Sequence, residues 1–417
     1  MFLIAYNLAW AMALPFLACS SRLREGWKER LSLSGPLPRA DLWIQASSAG
    51  EAYLASQLAE KLTQETQLRV FVTCSTTQGL QIYKNFLSKI QWEQQRGNRG
   101  SGYFPFDMPL IVRRALDAVA ARVLILLETE LWPGLFSQCR RRGIPIVILN
   151  GRLSEKSLRR HLRLSRFWLK SAPDRVLAIS EQDAVRFRRL FPDTSVGLMK
   201  NMKFDRISFE TASGNQIGVP GRYAGNRSPV VVLGSVRKEE EQDIQQVIAG
   251  LLSKAPKVTI ALFPRHMHRV GSWLKSLNRA GIDYVLRSEI NDFIQPGKVI
   301  LWNVFGELSR IYKIASAAFV GGTLRPCGGQ NFLEPLGAGL VPCIGPYWDN
   351  FAWVGREIVE LGLVREVKNA QELVEGLVRS IHDTMAKDEV IALAVEYVRQ
   401  RQGGTEQACQ EILRWLA

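Results

Sequence analysis

Short apolar runs of four to six residues alternate with longer amphipathic stretches along this chain, and the alternation occurs twice. The runs lie at 42–46, 70–73, 123–127, 144–149 and 176–179 in the first half, and at 230–233, 258–263, 299–302, 317–320 and 340–344 in the second. Strand-length runs separated by helical segments are the signature of parallel βαβ units. The pattern therefore predicts an α/β fold with two doubly wound parallel-sheet domains facing a cleft.

The boundary between the two halves is predicted at residues 208–228, which are rich in Gly, Ser and Asn and lack periodicity. Such a composition is typical of an interdomain linker. The chain of 417 residues is long enough for two domains and a further short element. We predict an N-terminal membrane anchor at 1–21, a first domain at 22–207, the linker at 208–228 and a second domain at 229–417.

The N-terminal segment 2–19 carries no charge, and its length is near the lower limit for crossing a bilayer. Asn7 and Pro15 weaken a spanning helix, so a helix lying in the membrane interface is the competing interpretation, and a buried N-terminal helix is the third. Positive charges follow the segment, which places the body of the protein on the cytoplasmic side. These charges are Arg22, Arg24, Lys28 and Arg30.

Charge is distributed unevenly along the chain. Lys and Arg exceed Asp and Glu by 15, and residues 1–205 hold 30 basic and 17 acidic residues, against 24 and 22 in 206–417. A basic first half favours an anionic partner, and its densest stretch, 156–170, has the pattern of an amphipathic helix suited to an anionic membrane or a phosphorylated lipid. No nucleic-acid-binding signature is present, so nucleic acid is not expected as a partner. The six cysteines include no C-x-x-C pair and predict neither a zinc site nor a disulfide framework.

Polar clusters follow the apolar runs at the point where each predicted strand ends. In parallel α/β sheets ligands bind at the carboxyl ends of the strands. The clusters are therefore expected to surround the functional site. They lie at 47–51, 128–130, 150–152, 234–235, 264–266 and 321–322.

Acidic residues in the first half are candidates for proton transfer. Glu51 lies in the predicted first turn of a helix that starts near Gly50, where a carboxylate either acts as a general base or complements the helix dipole. Glu128 and Glu130 point to the same side of a strand end, where they either orient a substrate hydroxyl or brace the loop. A metal site is not expected, because no His or third acid lies nearby.

The second half carries features of a nucleotide pocket. Arg265 suits a phosphate, and the imidazole ring of His266 follows it directly. The segment 319–346 contains two glycine pairs that allow close backbone approach, with Asn331 and Glu334 on one face of a predicted helix start. The segment lacks the lysine of a P-loop.

Seven motifs in this order resemble those of the Kdo transferases of lipopolysaccharide synthesis. They are S-x-G-E (48–51), E-T-E-L-W-P (128–133), N-x-R-L-S (150–154), N-x-K-F-D (201–205), P-R-H (264–266), G-G-x-L (321–324) and G-G-x-N-x-L-E-P (328–335). Together they span nearly the whole chain, and an N-terminal membrane anchor also belongs to that family.

The resemblance implies a GT-B fold without a metal or other cofactor. It implies transfer of 3-deoxy-D-manno-octulosonic acid (Kdo) from CMP-Kdo to the lipid A precursor, lipid IVA, with inversion and with Glu51 as general base. The reaction would take place on the cytoplasmic face of the inner membrane, beside anionic lipids.

The resemblance also assigns residues to the two substrates. The acceptor-side residues are Ser48, Gly50, Arg30, Glu128, Glu130 and Arg152. The donor-side residues are Ser235, Arg237, Arg265, His266, Gly306, Glu307, Gly321, Gly322, Gln330, Asn331 and Glu334.

Four positions depart from the family pattern. Arg237 and Gln330 stand where the family has His, Glu239 stands where it has Gly, and Gly134 stands where it has Asn. Two alternatives therefore stay open: a GT-B transferase that uses another nucleotide sugar, such as a UDP-sugar, and a non-catalytic relative that scaffolds envelope assembly.

Overall fold

The protein folds into two compact units, which differ slightly from the predicted domains. The structure is a computed structural model that describes residues 2–33, 37–89, 99–209, 228–290, 296–383 and 385–417. One unit comprises Met1–Arg206 together with Arg401–Ala417, and the other comprises Ile207–Gln400. Most of the predicted linker, 210–227, lies outside the described residues.

The first unit is built on a parallel sheet in the order β3-β2-β1-β4-β5-β6-β7. Its described strands are β1 (Leu42–Ala46), β2 (Val70–Cys74), β3 (Arg99–Tyr103), β4 (Val123–Leu127), β5 (Ile146–Gly151), β6 (Arg175–Ala178) and β7 (Ser195–Leu198). Its described helices are α1 (Phe2–Ala18), α2 (Ser21–Arg24), α3 (Trp27–Arg30), α4 (Ala49–Glu65), α5 (Thr77–Lys89), α6 (Pro109–Val119), α7 (Pro133–Arg142), α8 (Glu155–Leu162), α9 (Ser165–Trp168) and α10 (Glu181–Leu190), followed by a 3-10 helix at Met202–Arg206.

The second unit repeats this architecture with the strand order β10-β11-β9-β8-β12-β13-β14, again parallel. Its described strands are β8 (Val230–Val236), β9 (Thr259–Pro264), β10 (Tyr284–Leu286), β11 (Val299–Leu301), β12 (Ala317–Val320), β13 (Cys343–Ile344) and β14 (Arg365–Glu366). Its described helices are α11 (Glu241–Lys254), α12 (Val270–Arg279), α13 (Leu308–Ile314), α14 (Leu333–Gly337), α15 (Glu357–Glu360), α16 (Ala370–Ile381) and α17 (Lys387–Arg401), with 3-10 turns at Lys238–Glu240, Met267–Arg269, Arg287–Glu289 and Asp349–Val354.

The apolar runs form the buried interior of each sheet. Every residue of β1, β2 and β4 is buried, because helices cover both faces of the first sheet. A parallel strand covered on both faces has no side exposed to solvent. Its sequence is therefore a continuous apolar run and not an alternation of apolar and polar residues. The two predicted doubly wound parallel-sheet domains are confirmed, and each of the ten predicted runs overlaps a strand.

The final helix, α18 (Gly404–Leu416), packs on the first sheet. The predicted second domain, 229–417, is therefore wrong at its C-terminal end. Asp205 fixes the start of α18: its two carboxylate oxygens accept hydrogen bonds of 2.6 Å from the backbone N–H groups of Gly403 and Thr405. Position along the chain alone does not show on which sheet this helix packs.

The N-terminal helix α1 docks on the first unit with one side and exposes apolar residues on the other. Tyr6 donates a hydrogen bond to Asp107, and the Trp10 ring lies 5.8 Å from the Phe106 ring. Large apolar side chains repeat every four residues along the exposed side: Ile4, Leu8, Met12 and Phe16. Among the described helices, none combines the length and the apolar character needed to cross a membrane.

Candidate functional site

Three of the predicted acceptor-side clusters meet at one edge of the first sheet. Strands β1, β4 and β5 are adjacent and parallel, so the residues after them share the carboxyl edge. The clusters at 47–51, 128–130 and 150–152 therefore lie together, as predicted from their positions after the apolar runs.

Glu51 is held in the first turn of α4 by a network of short hydrogen bonds. The Ser48 hydroxyl accepts from the Glu51 N–H at 3.3 Å and donates to Glu51 Oε1 at 2.8 Å, while the Ser47 N–H donates to Glu51 Oε2 at 2.7 Å. Ser48 thus caps the helix start, and the Ser47 N–H and the Ser48 hydroxyl fix the Glu51 carboxylate in one orientation. Its residue exposure of 7% leaves only a narrow approach from solvent.

Burial raises the pKa of Glu51 to about 7, against an ordinary value of 4.5. The hydrogen bonds from Ser47 and Ser48 oppose this shift, and the negative charges of Glu130 and Glu128 add to it. Glu130 itself has a raised pKa, mainly through burial. The cluster therefore contains a carboxylate that exchanges protons near neutral pH, which is the property a general base needs.

Glu128 and Glu130 make different contacts. Glu128 Oε1 pairs with Lys203 Nζ at 2.6 Å, and Glu130 Oε2 accepts from Trp132 Nε1 at 2.8 Å. Both predicted roles, contact with a substrate hydroxyl and bracing of the loop, are compatible with these positions. Lys203 lies in the N-x-K-F-D motif. Sequence reasoning assigned it no role at the acid cluster, which consists of Glu51, Glu128 and Glu130.

Backbone strain marks the same edge. Glu128 and Asn150 both adopt left-handed backbone angles, with φ of 57° and 54°, and the register of β5 against β6 shifts between Ile148 and Gly151. Asn150 is fully buried; its Oδ1 accepts from the Met202 N–H at 2.9 Å, whereas its Nδ2 has no partner among the described residues. Non-glycine residues in this conformation are concentrated at functional sites.

The remaining acceptor-side residues differ in accessibility. A Cβ at Gly50 would meet only Ser48 Oγ, at 3.7 Å, among the described atoms, so the local packing does not demand glycine there. Arg152 is half-buried after β5. Arg30 is 4% exposed, and its guanidinium donates to the carbonyls of Glu25 and Ser75 and lies 4.3 Å from the centre of the Tyr103 ring. The observed contacts of Arg30 are structural, and its role in acceptor binding stays a prediction.

In the second unit, Glu240 holds the glycine loop against the end of β8. This fully buried carboxylate accepts four backbone N–H groups, from Arg237 at 3.1 Å, Gly322 at 2.6 Å and both Thr323 and Leu324 at 2.9 Å. Burial raises its pKa, and the four donors oppose the shift. Sequence reasoning missed this role, although Glu240 lies in the G-S-V-R-K-E-E-E stretch at 234–241.

The glycines of this edge allow the backbones to approach closely. A Cβ at Gly321 would lie 2.5 Å from the Ser235 carbonyl oxygen, so no side chain fits there. Gly322 has a φ of 74°, and Gln330 Nε2 lies 3.4 Å from the position that its Cβ would take. Ser235 has a φ of 54° at a register shift between β8 and β9, which matches the strained edge of the first unit.

Arg237, Arg265 and His266 follow the central strands of the second sheet. Arg237 is half-buried, and its Nε is buried without a hydrogen-bond partner among the described residues. Arg265 and His266 are exposed after β9, and the Arg265 N–H donates to the Val236 carbonyl at 2.8 Å. The edge thus presents three side chains able to donate hydrogen bonds to an anionic ligand.

Glu307 and the Asn331–Glu334 pair lie in different surroundings. Arg287 binds both Glu307 oxygens, at 2.8 and 3.0 Å, and Trp302 Nε1 donates to one of them at 2.9 Å; Gly306 before it has a φ of 84°. A helix does start beside Asn331 and Glu334, but α14 has only five residues, and its role in binding an anion stays a prediction. Asn331 and Glu334 are both exposed there, and partial burial raises the pKa of Glu334.

Within the described residues, no group of three or more His, Cys, Asp or Glu side chains is arranged to hold a metal ion. The carboxylates at the first edge face hydroxyl, amide and ammonium groups instead.

Comparison with known proteins gives a consistent result. The family profile of the 3-deoxy-D-manno-octulosonic-acid transferases (kdotransferases) matches residues 25–206. The 3-deoxy-D-manno-octulosonic acid transferase of Haemophilus influenzae is 28% identical over 403 residues, which cover 95% of this chain and 92% of that protein. A bifunctional glycosyltransferase/methyltransferase of Fusobacterium nucleatum is 28% identical over 361 residues, and these span 84% of this chain but only 54% of that protein.

Among solved structures, the glycotransferase of kitacinnamycin matches 92% of this chain and 100% of that chain with a TM-score of 0.51. Its sequence identity is 14%, so this likeness concerns the fold alone. Two units, each built on a parallel sheet of seven described strands, give the chain a GT-B fold. In sequence, the chain is similar to the Kdo transferases, whose motifs its own seven motifs resemble.

Proposed function

We propose that this protein transfers Kdo from CMP-Kdo to a hydroxyl group of the lipid A precursor, with inversion at the anomeric carbon. The observation that carries the proposal is Glu51, a carboxylate fixed at the carboxyl edge of the first sheet with a pKa raised to about 7. Similarity to the Kdo transferases supports the choice of donor and of acceptor class.

In the proposed reaction, ionised Glu51 accepts the proton of the acceptor hydroxyl while the hydroxyl oxygen attacks the anomeric carbon of Kdo. The bond from that carbon to the phosphate oxygen breaks, and CMP leaves with the bonding electrons. Each Glu51 oxygen accepts one hydrogen bond from the protein, so each keeps a lone pair for the incoming proton. A base with a pKa near the working pH combines ionisation with basicity.

Arginine side chains are proposed to hold the anionic groups of both substrates. Arg152, half-buried at the edge that carries Glu51, would pair with a phosphate of the acceptor. Arg237 and Arg265 in the second unit would pair with the phosphate or carboxylate of CMP-Kdo, and Gly321 and Gly322 let the donor approach the backbone. The buried, unpartnered Nε of Arg237 supports this assignment, because a buried donor without a partner is costly.

Attachment to the cytoplasmic face of the inner membrane forms part of the proposal. The exposed apolar side of α1 and the net positive charge of the first unit favour an anionic bilayer surface. A helix docked on the protein body and apolar on its outer side is suited to lie in the interface.

The donor assignment is tested by incubating the full-length protein in detergent micelles with lipid IVA and either CMP-Kdo or UDP-sugars. We expect CMP release and a product heavier by one or more Kdo units, and competition of the reaction by CMP but not by UDP. Transfer from a UDP-sugar would instead support the second candidate, which the replacements Arg237 and Gln330 at the donor edge favour. Nucleotide binding without transfer would indicate a non-catalytic relative.

A further inference from the structure

One buried carboxylate connects the N-terminal helix to the acidic loop, residues 128–132. Asp107 is 1% exposed and lies four residues after β3. Its Oδ2 accepts from the Tyr6 hydroxyl and from the Gly134 N–H, both at 2.7 Å, and its Oδ1 accepts from the Leu135 N–H at 2.7 Å. Asp107 therefore joins α1 to the first turn of α7.

The first turn of α7 in turn adjoins the acid cluster. Trp132 immediately precedes α7, its Nε1 donates to Glu130, and its ring lies 5.2 Å from the Phe104 ring. The negative charge of Glu130 acts on Glu51, whose pKa it helps to raise. A set of contacts thus leads from Tyr6 through Asp107 and the start of α7 to Glu130, and the charge of Glu130 then acts on the carboxylate proposed as the base.

The contacts around Asp107 leave little room for adjustment. A Cβ placed on Gly134 would overlap the Asp107 carbonyl oxygen, which explains why the chain has glycine at this position. On the other side, the Phe106 ring lies 5.8 Å from the Trp10 ring and 5.0 Å from the Trp27 ring. A displacement of α1 would therefore be passed to the start of α7 rather than absorbed.

We propose that the seating of the N-terminal helix on Asp107 positions the acidic loop at 128–132, so that Tyr6 and Asp107 are positioning residues for sugar transfer. The helix then does more than attach the protein to a surface: its inner side completes the scaffold of the catalytic carboxylate. This inference rests on the proposed function, in which Glu51 is the base.

The replacement Y6F tests the coupling with the smallest possible change. It removes one of the three hydrogen bonds to a buried carboxylate and keeps the aromatic ring that packs against Trp10. Losing a hydrogen bond to a buried carboxyl group weakens the local structure more than losing an exposed one. The side of α1 that carries Ile4, Leu8, Met12 and Phe16 is unchanged, so binding to lipid vesicles should be unchanged.

A matched control is available in the second unit. Tyr397 donates a buried hydrogen bond of the same length, 2.7 Å, to the Val354 carbonyl. Y397F therefore removes an equivalent hydroxyl far along the chain from the acid cluster. In detergent micelles, where attachment to a bilayer is not required, we expect kcat of Y6F to fall about 5- to 20-fold with the KM for CMP-Kdo unchanged, and kcat of Y397F to equal that of the wild type.

Amide hydrogen exchange gives a second readout that needs no substrate. In Y6F the amides of Gly134 and Leu135 should exchange at least about tenfold faster than in the wild type or Y397F. Unchanged exchange at these two amides, or equal kcat values for Y6F and the wild type in micelles, would overturn the inference. If the wild type transfers no Kdo at all, the proposed function fails, and the exchange data still decide whether α1 positions the loop.

Discussion

At the scale of single residues, Glu51 shows how one carboxylate is set for proton transfer. Burial and two neighbouring negative charges raise its pKa, and two hydrogen bonds from Ser47 and Ser48 limit the rise to about 7. Ser48 also accepts from the Glu51 N–H and so caps α4, which means that a structural role and the proposed role as base coincide at the start of this helix. The sequence left these two roles open as alternatives, and the geometry shows that they are compatible.

The raised pKa of Glu51 predicts the pH dependence of the reaction. The base works in its ionised form, so kcat/KM for the acceptor should rise about tenfold per pH unit below pH 7 and level off above it. Steady-state assays in micelles between pH 5 and pH 9 measure this profile. A midpoint near 4.5, the ordinary value, would show that burial does not tune the base.

The close packing around Gly134 predicts that a larger side chain at this position destabilises the fold. G134A should lower the free energy of unfolding by about 2–4 kcal/mol, because the added Cβ overlaps the Asp107 carbonyl oxygen. Urea unfolding followed by circular dichroism measures the change. G271A is the control: nothing described lies within 4 Å of its Cβ, and Gly271 is in α12, so a change of no more than about 1 kcal/mol, in the stabilising direction, is expected. Equal effects of the two variants would contradict the packing argument.

At the scale of secondary structure elements, the strands that the sequence predicts and those that it misses occupy different places in the sheets. The four strands missed, β3, β7, β10 and β14, are the four sheet edges. An edge strand is covered on fewer sides and need not be apolar: β3 has the sequence RGSGY, and β14 has only Arg365 and Glu366. Apolar patterning therefore finds the interior of a parallel sheet and overlooks its margins.

Three consecutive glutamates after β8 show a second limit of sequence reasoning. Glu239 is exposed, Glu240 is buried under the glycine loop with four backbone donors, and Glu241 forms a bidentate pair with Arg269 at 2.6 and 2.8 Å. Residue type is identical at the three positions, so only the tertiary structure separates their roles. The motif predicted a donor-side loop but not the carboxylate that holds it.

The contacts of Glu240 predict that replacing this carboxylate destabilises the donor-side loop. E240Q replaces one acceptor oxygen by an amide that faces backbone N–H groups, so we expect the free energy of unfolding to fall by about 2–4 kcal/mol and CMP binding to weaken. Denaturant titration and calorimetry measure the two effects. E239Q, at the exposed neighbouring position, should have the stability of the wild type. A stable E240Q with normal CMP affinity would remove Glu240 from the support of the loop.

At the scale of the whole molecule, the difference in net charge between the two units is larger than that between the two halves of the sequence. The C-terminal residues return to the first unit, which then holds 33 basic and 19 acidic residues, a net charge of +14. The second unit holds 21 basic and 20 acidic residues, a net charge of +1. The excess predicted for the first half of the sequence thus belongs to the unit that carries Glu51 and α1.

This asymmetry predicts different salt sensitivities for the two substrates. Salt screens interactions between exposed charges, so raising NaCl from 50 to 500 mM should weaken binding to anionic vesicles and raise the KM for the acceptor, while the affinity for CMP changes much less. Vesicle co-sedimentation, steady-state kinetics and calorimetry at each salt concentration give the comparison. Equal sensitivity of acceptor and nucleotide would contradict the assignment of the charge excess to the acceptor.

The central claim is that Glu51 is the base of Kdo transfer, and it is tested most directly by comparing E51Q with E60Q. Both residues lie on α4, and Glu60 is exposed. In single-turnover assays with CMP-Kdo and lipid IVA in micelles, E51Q should lose about 100-fold or more of the transfer rate while still folding and binding CMP. E60Q should match the wild type. Transfer by E51Q at the wild-type rate would contradict the account.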